Sequence, residues 1–315
     1  MPHLIITYGS AGSGKGYIYP KYTSLLNSCY SKMDPITEAN TFVAEIDPYV
    51  ESDIGYKDTV FQIICDFFQA CQVQMETKTG LGMHLKTLLS NVVSTDRCSA
   101  SALSASLTAA YQFTRRKYNA KLNADIAQAV KDNRNIIFET TGQHHDPLNW
   151  LWQCGSGPFC QADAYVKTIV YPYVNSKDIL KRTHERFAIR VLEWYDCLKA
   201  CKKELRKNKF GDFSVCLAKL PTQDVPRLPD IHELRTLIPA AQRHIIPYID
   251  NNQVENIIIY DNAKNDTDPL WFNLKSTSRH GKTPEEKARE LGFLMDTKND
   301  MAPELRSKLA QAGKS

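Results

Sequence analysis

Short runs of apolar residues recur along this chain, and each is rich in valine, isoleucine, phenylalanine or tyrosine. The runs are nearly continuous and lack the alternation of apolar and polar positions that marks a strand with one face in water. They therefore predict strands that are buried on both faces. The predicted strands are His3–Tyr8, Thr41–Ile46, Asn135–Glu139, Tyr165–Tyr171 and Glu255–Tyr260.

Segments with helical periodicity or helix-start signals separate these runs. Strands that alternate with helices along a chain favour a parallel sheet with helices on both faces. The sequence therefore predicts a doubly wound, mostly parallel α/β fold. The predicted helices are Gly14–Cys29, Asp58–Gln74, Ala102–Lys131, one opening at Asp146-Pro147, Ser176–Lys207, Asp230–Tyr248 and one beginning at Pro284.

The apolar patterning weakens after the fifth strand, and the last stretch of the chain is polar. We therefore predict one α/β domain over residues 1–262, with some of its helices forming a lid, and a C-terminal extension over residues 263–315. The segment Lys207–Asp230 carries three prolines and is predicted to be a long loop.

Composition and charge narrow the class of protein. Hydrophobic residues make up 43% of the 315 residues and charged residues 23%, which is ordinary for a soluble globular protein. No apolar run approaches the roughly 20 residues that span a bilayer, so we expect a cytoplasmic protein without a membrane partner. The net charge of +4 suits anionic ligands without demanding nucleic acid. The nine scattered cysteines predict reduced thiols.

The most specific motif is a glycine-rich loop that leaves the first strand and enters a helix. Its spacing fits G-x-x-x-x-G-K, the phosphate loop of nucleotide-binding proteins. Glycines let the backbone N–H groups approach phosphates closely, and the lysine adds a mobile positive charge. The alternative is a strand-to-helix turn without a ligand. The predicted nucleotide-binding residues are Gly9, Ser10, Ala11, Gly12, Ser13, Gly14, Lys15 and Gly16.

One position departs from the usual motif. The residue after the lysine is normally serine or threonine, whose hydroxyl binds Mg²⁺. Gly16 stands there instead. Either other groups hold the metal, or metal affinity is weak, or catalysis has been lost, and the sequence leaves the metal ligands unknown.

Two acidic positions follow predicted strands. Asp47 comes directly after the second strand, and Glu139 ends the third, followed by Thr141. Side chains at the carboxyl ends of parallel strands face the ligand crevice of a doubly wound sheet. A carboxylate there can accept the proton of an attacking hydroxyl, which makes Asp47 a candidate general base. The alternatives are a cap or turn residue for Asp47 and a strand-ending turn for Glu139.

Three arginines recur every four residues on one predicted helix and so share a face. They are Arg182, Arg186 and Arg190. Guanidinium groups stabilise the charge that spreads over a transferring phosphoryl group. The alternative is a solvated basic face.

Taken together, these motifs resemble the zeta-toxin group of P-loop kinases, with chloramphenicol phosphotransferases and polynucleotide kinases as more distant relatives. The resemblance is carried by the phosphate loop, by Asp47, by Glu139-Thr140-Thr141 and by His184-Glu185-Arg186-Phe187. It covers roughly Met1–Arg190 and the last strand near Tyr260, and its most specific part is the phosphate loop.

The resemblance implies a P-loop kinase-like fold and phosphorylation of a small-molecule hydroxyl, typically on a UDP-linked amino sugar. It implies that Lys15 binds phosphates, that Asp47 is the general base and that Arg186 is the lid arginine, assisted by Arg182 or Arg190. Glu139 and Thr141 would contact the acceptor. The helix Ala102–Lys131 would add an acceptor wall, with Tyr118 and Asn119 as candidates.

The leading function is therefore phosphate transfer from ATP or GTP, with Mg²⁺, to a small-molecule acceptor. The resemblance also leaves room for a protein inhibitor or an assembly partner. Two other functions remain open. A nucleotide-binding protein that has lost turnover is favoured by Gly16, and a polynucleotide-end kinase is favoured by the basic end of the helix Ser176–Lys207 and opposed by the modest net charge.

Overall fold

A computed structural model gives the structure of the chain. Of the 315 residues in the sequence, it describes residues 1–9, 13–15, 27, 35–71, 98–141, 165–207, 228, 231–250, 253–262, 271–273, 303–305 and 307. The predicted helices at Asp146-Pro147 and Pro284, most of Gly14–Cys29 and most of the predicted loop Lys207–Asp230 lie outside these residues.

The described strands form one sheet of mixed direction. Five strands run parallel in the order β2-β3-β1-β4-β5, and β6 adds an antiparallel edge next to β5. This arrangement confirms the predicted doubly wound, mostly parallel α/β class. The strands are β1 His3–Tyr8, β2 Thr41–Ala44, β3 Asn135–Thr140, β4 Val166–Tyr173, β5 Asn256–Asp261 and β6 Trp271–Asn273.

The first strand lies in the middle of the sheet. All six residues of β1 are buried, as expected of a strand that is covered on both faces. Its neighbours are β3 and β4, with Leu4 opposite Ile136 on one side and Lys167 on the other. Within the sheet, β2 and β3 lie on one side of β1, and the chain then crosses to the other side of β1 for β4 and β5. Reversals of this kind form the ligand crevice in open α/β sheets.

Five helices have both ends among the described residues. Asn175 begins one of them, because its side chain accepts a hydrogen bond of 2.9 Å from the backbone of Asp178. Asp53 begins another in the same way, with 2.8 Å to the backbone of Tyr56. The helices are α1 Asp47–Ser52, α2 Ile54–Ala70, α3 Ala100–Lys131, α4 Ser176–Lys207 and α5 Ile231–Asp250.

Several elements differ from the sequence predictions. The helix α1 was not predicted, and α2 spans Ile54–Ala70 where Asp58–Gln74 was predicted. The second strand ends at Ala44, two residues before the predicted Ile46, because Asp47 and Pro48 open the short helix α1. Proline fits the first helical turn, where its missing N–H costs nothing. The edge strand β6 was not predicted, since three residues are too few to show a period-two pattern.

The chain divides into two compact units. The first comprises Met1–Glu45, Leu122–Leu180 and Ile231–Ser315 and contains the sheet. The second comprises Ile46–Lys121 and Lys181–Asp230. These units cut across the predicted boundary at residue 262, and the division into 1–262 and 263–315 stays a prediction.

The second unit has a hydrophobic core of its own. Aromatic and branched side chains from its helices are almost completely buried, and burial of that kind stabilises a fold by roughly 1.5 to 3 kcal/mol for each large side chain. The cluster includes Val60, Ile64, Phe68, Leu103, Leu107, Tyr111, Phe187, Val191 and Trp194.

A disulfide corrects the prediction of reduced thiols. Cys71 and Cys98 are bonded across a sequence separation of 27 residues, from the end of α2 to the start of α3. The prediction failed because scattered spacing carries no information about which cysteines meet in the fold. In the described part of the chain Cys65 is a thiol outside any disulfide, which agrees with the prediction at that position.

We expect this disulfide to stabilise the second unit substantially. A cross-link that closes a loop of this length removes about 3.5 kcal/mol of conformational freedom from the unfolded chain. Cys71→Ser should therefore lower the free energy of unfolding by about that amount in guanidinium titrations without reductant. Cys65→Ser is the matched control, and its denaturation midpoint should still fall when dithiothreitol is added. If dithiothreitol does not change the denaturation midpoint of the wild-type protein, the disulfide is absent.

Candidate functional site

The glycine-rich loop begins where the sequence predicts it, directly after the central strand. The backbone N–H of Gly9 donates to the carbonyl of Thr140 at 3.2 Å, which joins the start of the loop to the end of β3. A side chain at Gly9 would place its Cβ 2.8 Å from Oγ of Ser13. The loop therefore folds back closely on its own first residue.

The second glycine of the loop has a conformation that other residues avoid. Gly14 has φ +92°, in the region that favours glycine. A Cβ there would lie 2.1 Å from Nδ2 of Asn262, so the space is already filled. Asn262 donates from the same nitrogen to the backbone carbonyl of Ser13 at 2.7 Å.

The described end of the loop fits an anionic ligand. Oγ of Ser13 is buried and has no hydrogen-bond partner among the described residues, and such groups usually indicate a missing partner. Lys15 is half-buried at the start of the next segment. A glycine-rich turn with a lysine and an unsatisfied hydroxyl is suited to phosphate oxygens. Ser10, Ala11, Gly12 and Gly16 lie outside the described residues.

The two predicted acceptor-binding residues lie beside the loop. Glu139 is opposite Thr7 in the pairing of β1 with β3. Thr141 directly follows β3, and both side chains are half-buried. Glu139 and Thr141 therefore lie at the carboxyl ends of the parallel strands, as Gly9 does, and this is the location that the sequence predicted.

A buried polar contact supports the strand that carries the loop. Tyr8, the last residue of β1, is fully buried, and its hydroxyl lies 3.1 Å from Nδ1 of His244 in α5. On the same helix, the amide of Gln242 donates to the hydroxyl of Tyr171 at 2.9 Å. These bonds fix α5 against β1 and β4, because buried polar groups are costly when they lose their partners.

In the second unit, Asp47 is the first residue of α1. Its Oδ1 accepts a short hydrogen bond from the hydroxyl of Tyr111 in α3. The residue before it, Ile46, takes the capping position without a side-chain hydrogen bond. The alternative role of Asp47 as a helix cap is therefore not what the structure shows, and its carboxylate is held by a tyrosine instead.

Asp53 has a different environment, although it also binds a tyrosine. One of its oxygens caps α2, and the other accepts from the hydroxyl of Tyr118 at 2.8 Å. This hydrogen bond to the Asp53 carboxylate raises the pKa of Tyr118, with burial and the negative charge adding to the effect. Asp53 is thus a structural carboxylate, and Tyr118, a candidate for the acceptor wall, is bound to it.

The three arginines lie on α4 as predicted, but their surroundings differ. Arg186 is exposed, and Arg182 is half-buried. Arg190 forms an ion pair of 2.5 Å with Glu193 one turn along the helix. His184 lies between the first two arginines, and burial lowers the pKa of its imidazole. Burial therefore favours the neutral form of this imidazole.

No group of three or more histidine, cysteine, aspartate or glutamate side chains in the described part of the chain could hold a metal ion. Within the same part, no helix is both long enough and apolar enough to cross a membrane.

Comparisons with known proteins show a likeness among solved structures. No protein-family model matches the chain, and no curated protein matches it. Among solved structures, a chain from the PezAT chromosomal toxin–antitoxin system of the human pathogen Streptococcus pneumoniae is similar over 100% of this chain and 85% of its own length. The two are 10% identical with a TM-score of 0.41, which is too weak a likeness to assign a function to this chain.

Asn262 and Tyr111 contact candidate site residues but were not predicted from the sequence. Asn262 comes immediately after the fifth strand, so the strand-end rule that selected Glu139 could have selected it too. Tyr111 gave no such signal, because a tyrosine on a long helix is indistinguishable in sequence from an ordinary core residue.

Proposed function

We propose that this protein binds a nucleoside triphosphate at the loop Gly9–Lys15 and transfers its terminal phosphoryl group to a hydroxyl of a small molecule. The observation that carries the proposal is the loop itself. It leaves a fully buried central strand at the reversal of strand order, and Gly14 holds a conformation that only glycine adopts without strain.

In this proposal each residue has a separate chemical task. Lys15 neutralises charge on the nucleotide phosphates, and Glu139 and Thr141 bind the acceptor at the end of β3. Mg²⁺ would arrive with the triphosphate, since it usually binds through one or two carboxylates together with substrate phosphates. Gly16 supplies no hydroxyl for that metal.

Asp47 is proposed as the general base. The acceptor hydroxyl attacks the terminal phosphorus, its proton passes to the Asp47 carboxylate, and the nucleoside diphosphate leaves with the bridging oxygen. The bond from Tyr111 supports this role because it fixes one carboxylate oxygen and so orients the group. Arg186, with Arg182 and Arg190, would stabilise the charge on the transferring group.

The acceptor is proposed from the zeta-toxin resemblance, which suggests the sugar of a nucleotide sugar, and either ATP or GTP could be the donor. A protein inhibitor or assembly partner and a cytoplasmic location belong to the same proposal. Screening both nucleotides with a panel of nucleotide sugars, by release of nucleoside diphosphate, would identify donor and acceptor.

The proposal is tested first at Lys15. Lys15→Ala should weaken triphosphate binding by about 10- to 100-fold, because a hydrogen bond to a charged phosphate contributes about 1.5 to 3 kcal/mol. The affinity is measured by isothermal titration calorimetry with a slowly hydrolysed ATP or GTP analogue.

A matched lysine serves as the control. Lys177 is exposed near the start of α4 and belongs to the same unit as Lys15. Lys177→Ala removes the same charge and should leave the affinity unchanged. If Lys15→Ala binds as tightly as Lys177→Ala, the loop does not bind the nucleotide and the proposal fails.

One observation favours a second function. Gly16 lacks the hydroxyl that normally binds Mg²⁺. The second function is therefore nucleotide binding without turnover. The two functions separate in one pair of measurements. Tight nucleotide binding with no transfer to any acceptor and no basal hydrolysis supports the second function, and measurable transfer excludes it.

A further inference from the structure

Asn262 connects two parts of the first unit that are far apart in sequence. It follows β5 and is only 2% exposed. Its backbone N–H donates to the carbonyl of Tyr173 at the end of β4, at 3.0 Å. Its side chain donates to the carbonyl of Ser13 across 249 positions of sequence, at 2.7 Å. The residue is therefore anchored on the sheet and reaches the phosphate loop.

The contact determines the orientation of one peptide group. The peptide between Ser13 and Gly14 is planar, and its C=O and N–H point in opposite directions. An amide that holds the Ser13 carbonyl on one side therefore directs the Gly14 N–H to the other side. Backbone N–H groups of the loop are the groups that bind phosphate. A flip of this peptide would turn one of them away.

Gly14 and Asn262 fit each other in a second way. The side-chain amide of Asn262 occupies the space that a Cβ of Gly14 would need, at 2.1 Å. The glycine is thus required both by its φ of +92° and by the neighbouring amide. Removing the amide would leave the peptide with room to rotate, since glycine has few steric limits of its own.

We propose that Asn262 is a positioning residue that fixes the Ser13–Gly14 peptide in the orientation that binds phosphate. The inference rests on the proposed nucleotide binding and adds to it a residue that directly follows β5. Asn262 acts through the loop backbone, and its own contact is with a carbonyl oxygen.

The decisive variant is Asn262→Asp. It keeps the shape of the side chain but places a carboxylate oxygen or a protonated oxygen where the amide nitrogen was. At pH 8 the carboxylate repels the Ser13 carbonyl, and we expect nucleotide affinity to fall about tenfold or more. When the pH is lowered to about 5.5, a burial-raised aspartate takes up a proton and donates again. The affinity of Asn262→Asp should then approach the wild-type value.

Asn273→Asp is the matched control. Asn273 is a buried asparagine on β6 whose amide donates to Oδ1 of Asn256 at 2.7 Å and whose Oδ1 accepts from the backbone of Ile257 at 3.1 Å. The substitution removes a buried donor from the same sheet. It should lower thermal stability and leave the affinity of the folded protein for nucleotide unchanged at both pH values.

The measurement is calorimetric affinity for a triphosphate analogue at pH 8 and at pH 5.5, well below the unfolding temperature. If wild type binds and Asn262→Asp matches Asn273→Asp at both pH values, the positioning role is overturned while nucleotide binding stands. If wild type does not bind, the proposed function fails and this role with it. Should Asn262→Asp not fold, Asn262→Ala is used, and faster amide exchange at Gly14 with weaker binding is expected. Unchanged exchange and binding would overturn the role.

Discussion

Arg186→Ala is expected to lower turnover by roughly three to five orders of magnitude, the loss seen when an arginine that stabilises a transferring phosphoryl group is removed. The side chain is exposed on α4, so its removal should cost little folding stability. The measurement is kcat for release of nucleoside diphosphate with the acceptor present, alongside the thermal midpoint of each variant.

Variants at neighbouring positions test whether this effect is specific. Arg190 pairs with Glu193 on its own helix, so Arg190→Ala should have a smaller effect than Arg186→Ala. Lys181→Ala removes an exposed charge from the same helix and should leave kcat unchanged. Arg186→Lys keeps the charge but loses the planar guanidinium and should not restore full activity. Equal, mild losses at Arg182, Arg186 and Arg190 would mean that the row is a solvated face.

Asp47→Asn should lower kcat by about a hundredfold or more, because the amide cannot accept the proton of the acceptor hydroxyl. Affinity for the nucleotide should change little, since Asp47 is proposed to act on the acceptor. The kinetic constants are measured at saturating nucleotide, so that the loss can be assigned to the chemical step.

Asp53 provides an internal control with the same chemistry. Each carboxylate accepts a hydrogen bond from a tyrosine hydroxyl of α3. Asp47 accepts from Tyr111, and Asp53 accepts from Tyr118. Asparagine is as good a helix cap as aspartate, so Asp53→Asn should retain most activity. Tyr111→Phe should cause a smaller loss than Asp47→Asn. Equal activities of Asp47→Asn and Asp53→Asn would remove Asp47 from the mechanism.

The sequence predicted the elements that are dominated by hydrophobic burial. The central strands are buried on both faces, and their continuous apolar runs identified them within two residues. The helix Ser176–Lys207 was predicted at its observed bounds, with Asn175 or Ser176 as the expected cap, and the structure shows Asn175 in that role. The strand β6 and the Cys71–Cys98 bond were not predictable, because both depend on which distant segments meet.

In the candidate site, too, local features were predicted and contacts between distant segments were not. A loop of fixed spacing is a local signal, and the sequence located Gly9, Gly14 and Lys15 without any knowledge of the fold. The partners of those residues are not local. Asn262 meets Ser13, and Tyr111 meets Asp47, through packing that no spacing rule encodes. Sequence therefore identified the groups proposed to do chemistry and missed the groups that hold them in place.

The central position of β1 has a consequence for how the protein is made. This strand precedes all its neighbours in synthesis, yet it pairs with residues of β3 from Leu4 to Ile136 and with β4 from His3 to Val166. Contacts of such long range slow folding, because the intervening chain must close before they form. Until β3 has left the ribosome, this mostly apolar strand has both hydrogen-bonding edges open, and one edge stays open until β4 follows. An open apolar edge favours pairing with other chains, so nascent copies are most exposed to aggregation before β4 has been made.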